Sequence, residues 1–281
     1  MARIPASSRR IICVNAQLKQ TPQVTAYPDF VGRHSIVRTI WGDPDLVLLI
    51  FAGSAAEFAL NRAVDWLFFT GEIPRDPIGR LFSTVRYAQQ IVFVDEERAR
   101  QTLDRINAQH ASVEHERGQT IPDWAYRDVL YMLIDYSERA YALLYGPLTQ
   151  RHKNDLFEVF RSVGEGLHIP ELPKTYSDWQ LDRQQHMARD LSYSKHTGML
   201  YRAYRRHLGA WRYYFLLEVQ ALLVPDEVRR LLHLNSNKLL SGLAQTYGII
   251  DSRKLQSLVH TLLIPSRYWA DVRSFDRSNV I

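Results

Sequence analysis

The stretch DPDLVLLIFAGSAAEFAL, residues 43–60, decides the fold class of this chain. Asp43 is a typical helix N-cap residue and Pro44 is favoured in the first helical turn, so a helix begins here. The apolar run from Leu46 to Leu60 has 15 residues, which is too few to span a bilayer. The stretch therefore predicts a buried core helix that continues to about Phe69, with a helix lying at a membrane interface as the alternative.

Helical periodicity continues along the rest of the chain, without an alternating strand pattern or an internal repeat. Start and stop residues predict further helices at His34–Trp41, Ile78–Phe93, Glu96–Glu116, Trp124–Tyr145, Thr149–Gly166, Ser177–Leu191, Thr197–Leu223, from Pro225, at Lys238–Tyr247 and at Asp251–Leu263. No connection between them is long or polar enough to be an inter-domain linker. We predict one all-α domain over residues 34–265, after an irregular segment 1–33 and before a tail 266–281.

Composition excludes several classes of protein. Apolar residues make up 46% of the chain and charged residues 23%, as is ordinary for a soluble globular protein. The net charge of +5, from 35 Lys and Arg against 30 Asp and Glu, is too small to predict a nucleic-acid partner. Cys13 is the single cysteine, which excludes an intrachain disulfide framework and a Cys-based zinc site. The early apolar run at residues 11–14 is too short for a secretory signal, and we expect a cytoplasmic protein with no integral membrane span.

Two helical segments carry the residues most typical of a cofactor site, and they are Ile106-Asn-Ala-Gln-His110 and Arg80-Leu-Phe-Ser-Thr84. An imidazole on a largely apolar helix face can ligate a metal through one ring nitrogen. Arg80 and Thr84 are four residues apart and so lie on one helix face, where they offer a cation and a hydroxyl. A haem needs one imidazole on its iron and polar or cationic groups around its carboxylates. The alternative for His110 is a hydrogen-bonded, partly buried side chain.

Other metal-binding patterns are weak. His110 and His115 are five residues apart, which places them about 140° apart around a helix. The chain contains no His-Glu-x-x-His motif and no Glu-x-x-His pair that repeats on two helices. Glu114 follows His110 by one turn and could chelate a metal, orient the ring or form only a surface hydrogen bond. His186 and His207 are the next candidates for an iron ligand.

A second group of candidate functional residues lies at positions 201–214, where cationic and aromatic side chains alternate closely. Its four arginines, Arg202, Arg205, Arg206 and Arg212, could neutralise a carboxylated ligand or anionic lipid headgroups. The alternative is a solvated helix face whose aromatic side chains pack inward. We therefore keep a peripheral membrane contact among the expected partners.

Taken in order, several segments resemble one large family. They are His34-Ser-x-Val, Trp41-Gly-Asp-Pro, Phe51-Ala-Gly-Ser-Ala-Ala, Asp76-Pro-Ile-Gly-Arg80-Leu-Phe-Ser-Thr84-Val-Arg-Tyr87, Ile91-Val-Phe93, Ile106-x3-His110-x2-Val113, Gly146-Pro-Leu-Thr, Leu172-Pro-Lys-Thr and Leu239-Leu-x3-Ala-x2-Tyr247-Gly248. This order, from about residue 30 to 270, looks like the bacterial and fungal family of latex-clearing rubber oxygenases and the oxygenase of the mycophenolic-acid pathway. The Arg-x3-Thr motif and the later His carry most of the specificity.

The resemblance implies a loosely globin-like fold of about ten helices around a buried haem pocket. It implies a b-type haem, with His110 as the proximal iron ligand and Arg80 and Thr84 in the pocket. It also implies cleavage of C=C bonds in isoprenoid chains with O2. The expected partners are then a small apolar substrate, O2 and an electron donor that the sequence does not identify.

The chain departs from this family at three places. A Trp-Val-His-Ala-Thr-like segment of many relatives reads Tyr131-Met-Leu-Ile-Asp-Tyr136 here, without a histidine. Glu114 occupies the place of an arginine, and Glu57 is the nearest candidate for the glutamate that serves as the base in rubber oxygenases. A non-catalytic haem- or lipid-binding helical protein therefore stays open, as does a helical interaction protein without iron.

Overall fold

Eleven helices make up the part of the chain that the computed structural model describes, residues 28–69 and 75–235. They are α1 (Ile36–Gly42), α2 (Pro44–Phe58), α3 (Val64–Phe69), α4 (Pro77–Val92), α5 (Glu96–Arg117), α6 (Asp123–Tyr145), α7 (Gln150–Gly166), α8 (Tyr176–Asp190), α9 (Lys195–Leu208), α10 (Ala210–Leu223) and α11 (Asp226–Leu232). Within these residues the β-type backbone pairing consists of two isolated bridges, Asp29 with Asp95 and Asn61 with Leu191. The predicted all-α class is confirmed.

Helix α2 lies at the centre of the core, as the sequence predicts. Its N-cap residue Asp43 accepts hydrogen bonds from the backbone N–H groups of residues 45 and 46, and Pro44 opens the first turn. The helix packs on α1, α6 and α10. Gly53 allows the close approach of α6, because a Cβ atom there would lie 2.3 Å from Cδ1 of Tyr136.

The predicted continuation of this helix to Phe69 is wrong. The helix ends at Phe58, and a separate short helix, α3, begins at Val64. Between them the backbone carbonyl of Leu60 accepts from the N–H of Ser192, and the N–H of Arg62 donates to the carbonyl of Asp190. These long-range backbone bonds compensate for the helical bonds that the chain gives up.

Helices α4 and α5 pack against each other and form one side of the candidate site. Asp76 accepts from the N–H of Gly79 at the start of α4, and Asp95 accepts from the N–H of Arg98 at the start of α5. Gly118 ends α5 with a φ of 65°, a left-handed conformation that glycine adopts without strain. Local capping rules thus fix the ends of both helices.

Two further helix predictions need correction. The single long helix predicted from Thr197 to Leu223 is two helices, α9 and α10, because Gly209 between them has a φ of 79° and breaks the helical path. Helix α8 begins at Tyr176 rather than at the predicted Ser177, because Thr175 is its N-cap residue and the Thr175 hydroxyl accepts from the N–H of Asp178.

Several predictions lie outside the described residues: most of the irregular segment 1–33, the helices at Lys238–Tyr247 and Asp251–Leu263, and the tail 266–281. Across residues 28–69 and 75–235, no helix combines the length and the apolar character needed to cross a membrane.

Candidate functional site

His110 lies on the inward face of α5. Ala99 and Leu103, which precede it on this face at helical spacing, are buried in the core. The His110 ring is partly buried and tilts against the ring of Tyr126, with 5.0 Å between the centroids and 53° between the planes. The face that the sequence predicts as apolar thus carries the imidazole toward α6.

The surroundings of His110 favour the neutral form of its imidazole. Burial lowers its pKa below the ordinary value, the positive charge of Arg80 lowers it further, and the negative charge of Glu114 opposes both. Among the described residues, no hydrogen bond contributes to this shift. A neutral imidazole is the form that ligates iron.

Arg80 and Thr84 lie one turn apart on α4, as predicted, and both side chains are exposed. The guanidinium of Arg80 is close enough to His110 to affect its pKa, so the structure brings these two predicted site residues together. The hydroxyl of Thr84 donates to the backbone carbonyl of Arg80 at 3.2 Å. Thr84 therefore satisfies its donor within its own helix.

The other candidate histidines have different surroundings. His115 is exposed, in agreement with the expected divergence from His110. The Nδ1 atom of His207 lies 3.8 Å from the carboxylate of Asp76 at the start of α4. His186 is buried, with Nδ1 3.0 Å from Asp190 and Nε2 3.7 Å from Asp182, and burial lowers its pKa.

Glu114 holds the turn between α5 and α6 beside the His110 ring. Its Oε1 atom accepts from the backbone N–H of Ile121 at 2.8 Å and from the hydroxyl of Tyr126 at 3.2 Å. Tyr126 is the residue against which His110 packs. Glu114 therefore positions the aromatic wall of the site, a role that is not among the three alternatives drawn from the sequence.

Arg117 attaches α3 to the C-terminal end of α5. Its guanidinium lies 3.9 Å from the ring centroid of Trp66 and 5.6 Å from that of Phe69, and it donates to Asp65 at 2.7 Å. Stacking and a partly buried ion pair act on the same side chain, which fixes α3 beside the helix that carries His110.

A buried charge network joins α2, α6 and α8, away from the surface. Both Nη atoms of Arg183 donate to the carboxylate of Glu57, which also accepts from the hydroxyl of Tyr136 at 2.9 Å. Arg183 further contacts Asp135 at 3.0 Å and Asp128 at 3.4 Å. Glu57 and Arg183 are 0% and 3% exposed. Both Glu57 oxygens are therefore used inside the protein, and we assign Glu57 to this network rather than to the role of a base.

Sequence reasoning missed this network, although one signal was present. Asp128 and Asp135 are seven residues apart on α6 and so lie on one face of the helix, together with large apolar residues, and acids are rarely buried without a partner. The partner, Arg183, follows Glu57 by 126 residues, so no local spacing could identify it.

Asp128 is the titratable member of the network. Burial raises its pKa to about 7, the negative charge of Glu57 raises it too, and the positive charge of Arg183 acts in the opposite direction. Its carboxylate also accepts a hydrogen bond from the amide of Asn61, whose own oxygen accepts from the N–H of Ala63. Burial thus favours the protonated form of Asp128 more strongly than water does.

In the described part of the chain, no three His, Cys, Asp or Glu side chains are grouped so that they could hold a metal ion.

The sequence model of one protein family, described as ER-bound oxygenase mpaB/B'/Rubber oxygenase, catalytic domain, matches residues 40–248. This range covers well over half of the chain and contains His110, Arg80, Thr84 and the whole charge network. No curated protein and no solved structure matches the chain.

Proposed function

The chain belongs to the family of mpaB/B' and rubber oxygenase catalytic domains, an oxygenase family, and we propose that it is a haem-b-dependent oxygenase. In this proposal it acts with O2 on an apolar substrate that contains a C=C bond, of which an isoprenoid chain is the leading candidate. The observation that carries the proposal is the partly buried His110 imidazole, which packs against Tyr126 and whose pKa is lowered by burial and by the charge of Arg80.

The residues present fit a haem. A haem iron needs one strong ligand from the protein, and His110 offers a neutral ring that is partly buried between α5 and α6. The carboxylates of the macrocycle need a cation, and Arg80 supplies one on the neighbouring helix. Tyr126 offers an aromatic surface beside the imidazole, and Glu114 holds it there.

Each residue then has a defined task. His110 would bind the iron through a ring nitrogen, and burial would keep that nitrogen free of a competing proton. Arg80 would pair with a carboxylate of the cofactor or steady negative charge that develops in the pocket. Thr84 would offer its hydroxyl lone pairs, since its proton is donated to the helix backbone. When bound, the haem supplies the activation of O2 that addition to an alkene requires.

A turnover experiment tests the oxygenase assignment. Protein reconstituted with haem is mixed with a polyprenyl substrate, and O2 uptake and carbonyl products are measured. We expect activity in the wild type, its loss in His110→Ala and its retention in His115→Ala, which removes an exposed imidazole from the same helix. Stoichiometric haem without any turnover would favour a non-catalytic haem- or lipid-binding protein instead.

A further inference from the structure

The segment from Leu191 to Leu217 has a charge pattern unlike the rest of the chain. It contains five cations and no Asp or Glu, and its charge equals the formal net charge of +5 of the whole protein. The other residues, with equal numbers of acids and bases, are neutral together. The basic character of this protein is therefore concentrated on α9 and the start of α10.

The cations of α9 share one solvent face. Four cations of this helix are exposed: Lys195, Arg202, Arg205 and Arg206. The three arginines follow Lys195 by seven, ten and eleven residues, and such spacings return to the same side of a helix. Within the described residues none of the four forms an ion pair. Several exposed arginines on other helices and loops, such as Arg33, Arg98 and Arg100, instead pair with a nearby carboxylate.

Large apolar side chains are exposed beside these cations. Eight large hydrophobic residues are exposed in the described part of the chain, and four of them lie within this short stretch. They are Tyr193, Met199, Trp211 and Tyr214, which are 60%, 40%, 50% and 57% exposed. Aromatic rings with a polar edge and a methionine are the side chains that enter the boundary between lipid headgroups and acyl chains.

The aromatic and cationic groups are interleaved. Tyr193 Oη and Arg202 Nη1 lie 3.3 and 3.4 Å from the place that a Cβ atom of Gly198 would take, so the two polar groups meet over the backbone of Gly198. The guanidinium of Arg212 lies 4.5 Å from the ring centroid of Trp211. A hydroxyl and a guanidinium side by side on an exposed face suit a phosphate group, and the adjacent rings suit the lipid beneath it.

We propose that this face, formed by α9 and the first turn of α10, docks on the surface of an anionic lipid bilayer. The arginines pair with headgroup phosphates while their aliphatic stems and the exposed rings enter the interfacial layer. A nucleic acid would use the cations but would leave Met199 without a role. Helix α9 packs on α3 and α4, so docking here brings the helix that carries Arg80 close to a reservoir of apolar molecules.

The test is co-sedimentation of the full chain with vesicles of phosphatidylcholine alone, or with roughly one third phosphatidylglycerol. We expect binding to the anionic vesicles at about 0.1 M salt and its loss at about 1 M salt. Arg202→Gln/Arg205→Gln/Arg206→Gln should weaken partitioning by about fivefold per charge, or roughly a hundredfold for the three. Trp211→Ser/Tyr214→Ser should weaken it while the salt dependence remains.

A charge-matched control separates this face from general electrostatics. Arg33→Gln/Arg151→Gln/Lys174→Gln removes three exposed cations outside α9 and α10 and should leave partitioning unchanged. Equal loss in both triple variants would overturn the proposal, as would equal binding to neutral vesicles. The proposal also fails if the protein binds a single-stranded homopolymeric RNA but neither kind of vesicle. Circular dichroism of each variant confirms that the helices are retained.

Discussion

Arg183 is the side chain whose loss should damage the fold most. It is 3% exposed and contacts three carboxylates, those of Glu57, Asp128 and Asp135. Arg183→Met keeps the apolar stem but leaves buried negative charge uncompensated, which costs about 3–5 kcal/mol of unfolding free energy. Urea unfolding at pH 7.5, followed by the helical circular-dichroism signal, measures this loss.

The pH dependence of the Arg183→Met defect separates a lost charge pair from lost packing. Arg183 lowers the pKa of Asp128, so its removal raises that pKa further and the folded variant binds a proton more tightly. A carboxyl whose pKa is raised in the folded state stabilises the fold as pH falls. The defect should therefore shrink between pH 7.5 and pH 5.

Arg139→Met is the matched control, because Arg139 pairs with the same Asp135 but is 36% exposed. It should cost less than about 1 kcal/mol. A loss at Arg183 no larger than at Arg139, or a defect that does not change with pH, would refute the reasoning.

Three further outcomes are expected. Gly53→Ala places a Cβ atom 2.3 Å from an aromatic carbon of α6 and should cost about 1–3 kcal/mol in urea unfolding, whereas Gly32→Ala, which meets nothing within 4 Å, should be neutral. In the wild type, the raised pKa of Asp128 makes stability fall as pH rises from about 4 to about 7, and Asp128→Asn should flatten this slope of unfolding free energy. Arg80→Gln should raise the pKa of His110 in an NMR titration, and an unchanged pKa would show that the two are not neighbours.

The features that the sequence predicts correctly depend on local chemistry. Asp43, Asp95 and Gly118 act within one turn of the helix ends that they define, so capping rules find them. The single helix predicted over Thr197–Leu223 fails at Gly209, because a glycine inside a helical pattern is compatible with both a continuous helix and a break. The positive φ of Gly209 turns the chain so that α9 packs on α3 and α4 while α10 packs on α2 and α6.

In the candidate site, too, some features are predictable from local spacing and others depend on the tertiary structure. His110 on the inward face of α5 follows from helical periodicity alone. The hydrogen bonds of Glu114 to Ile121 and Tyr126 depend on the path of the turn after Gly118, which no spacing rule gives. The pairing of Glu57 with Arg183 joins helices that are distant in the chain, so only the assembled fold reveals it.

The absorption spectrum of the protein titrated with haemin tests the central claim most directly. The account predicts a stoichiometric Soret band for the wild type and for His115→Ala. It predicts loss of most of that band in His110→Ala, with the helical circular-dichroism signal intact. A wild type without a stoichiometric band, or a His110→Ala variant with an unchanged one, would contradict the assignment of His110 as the iron ligand.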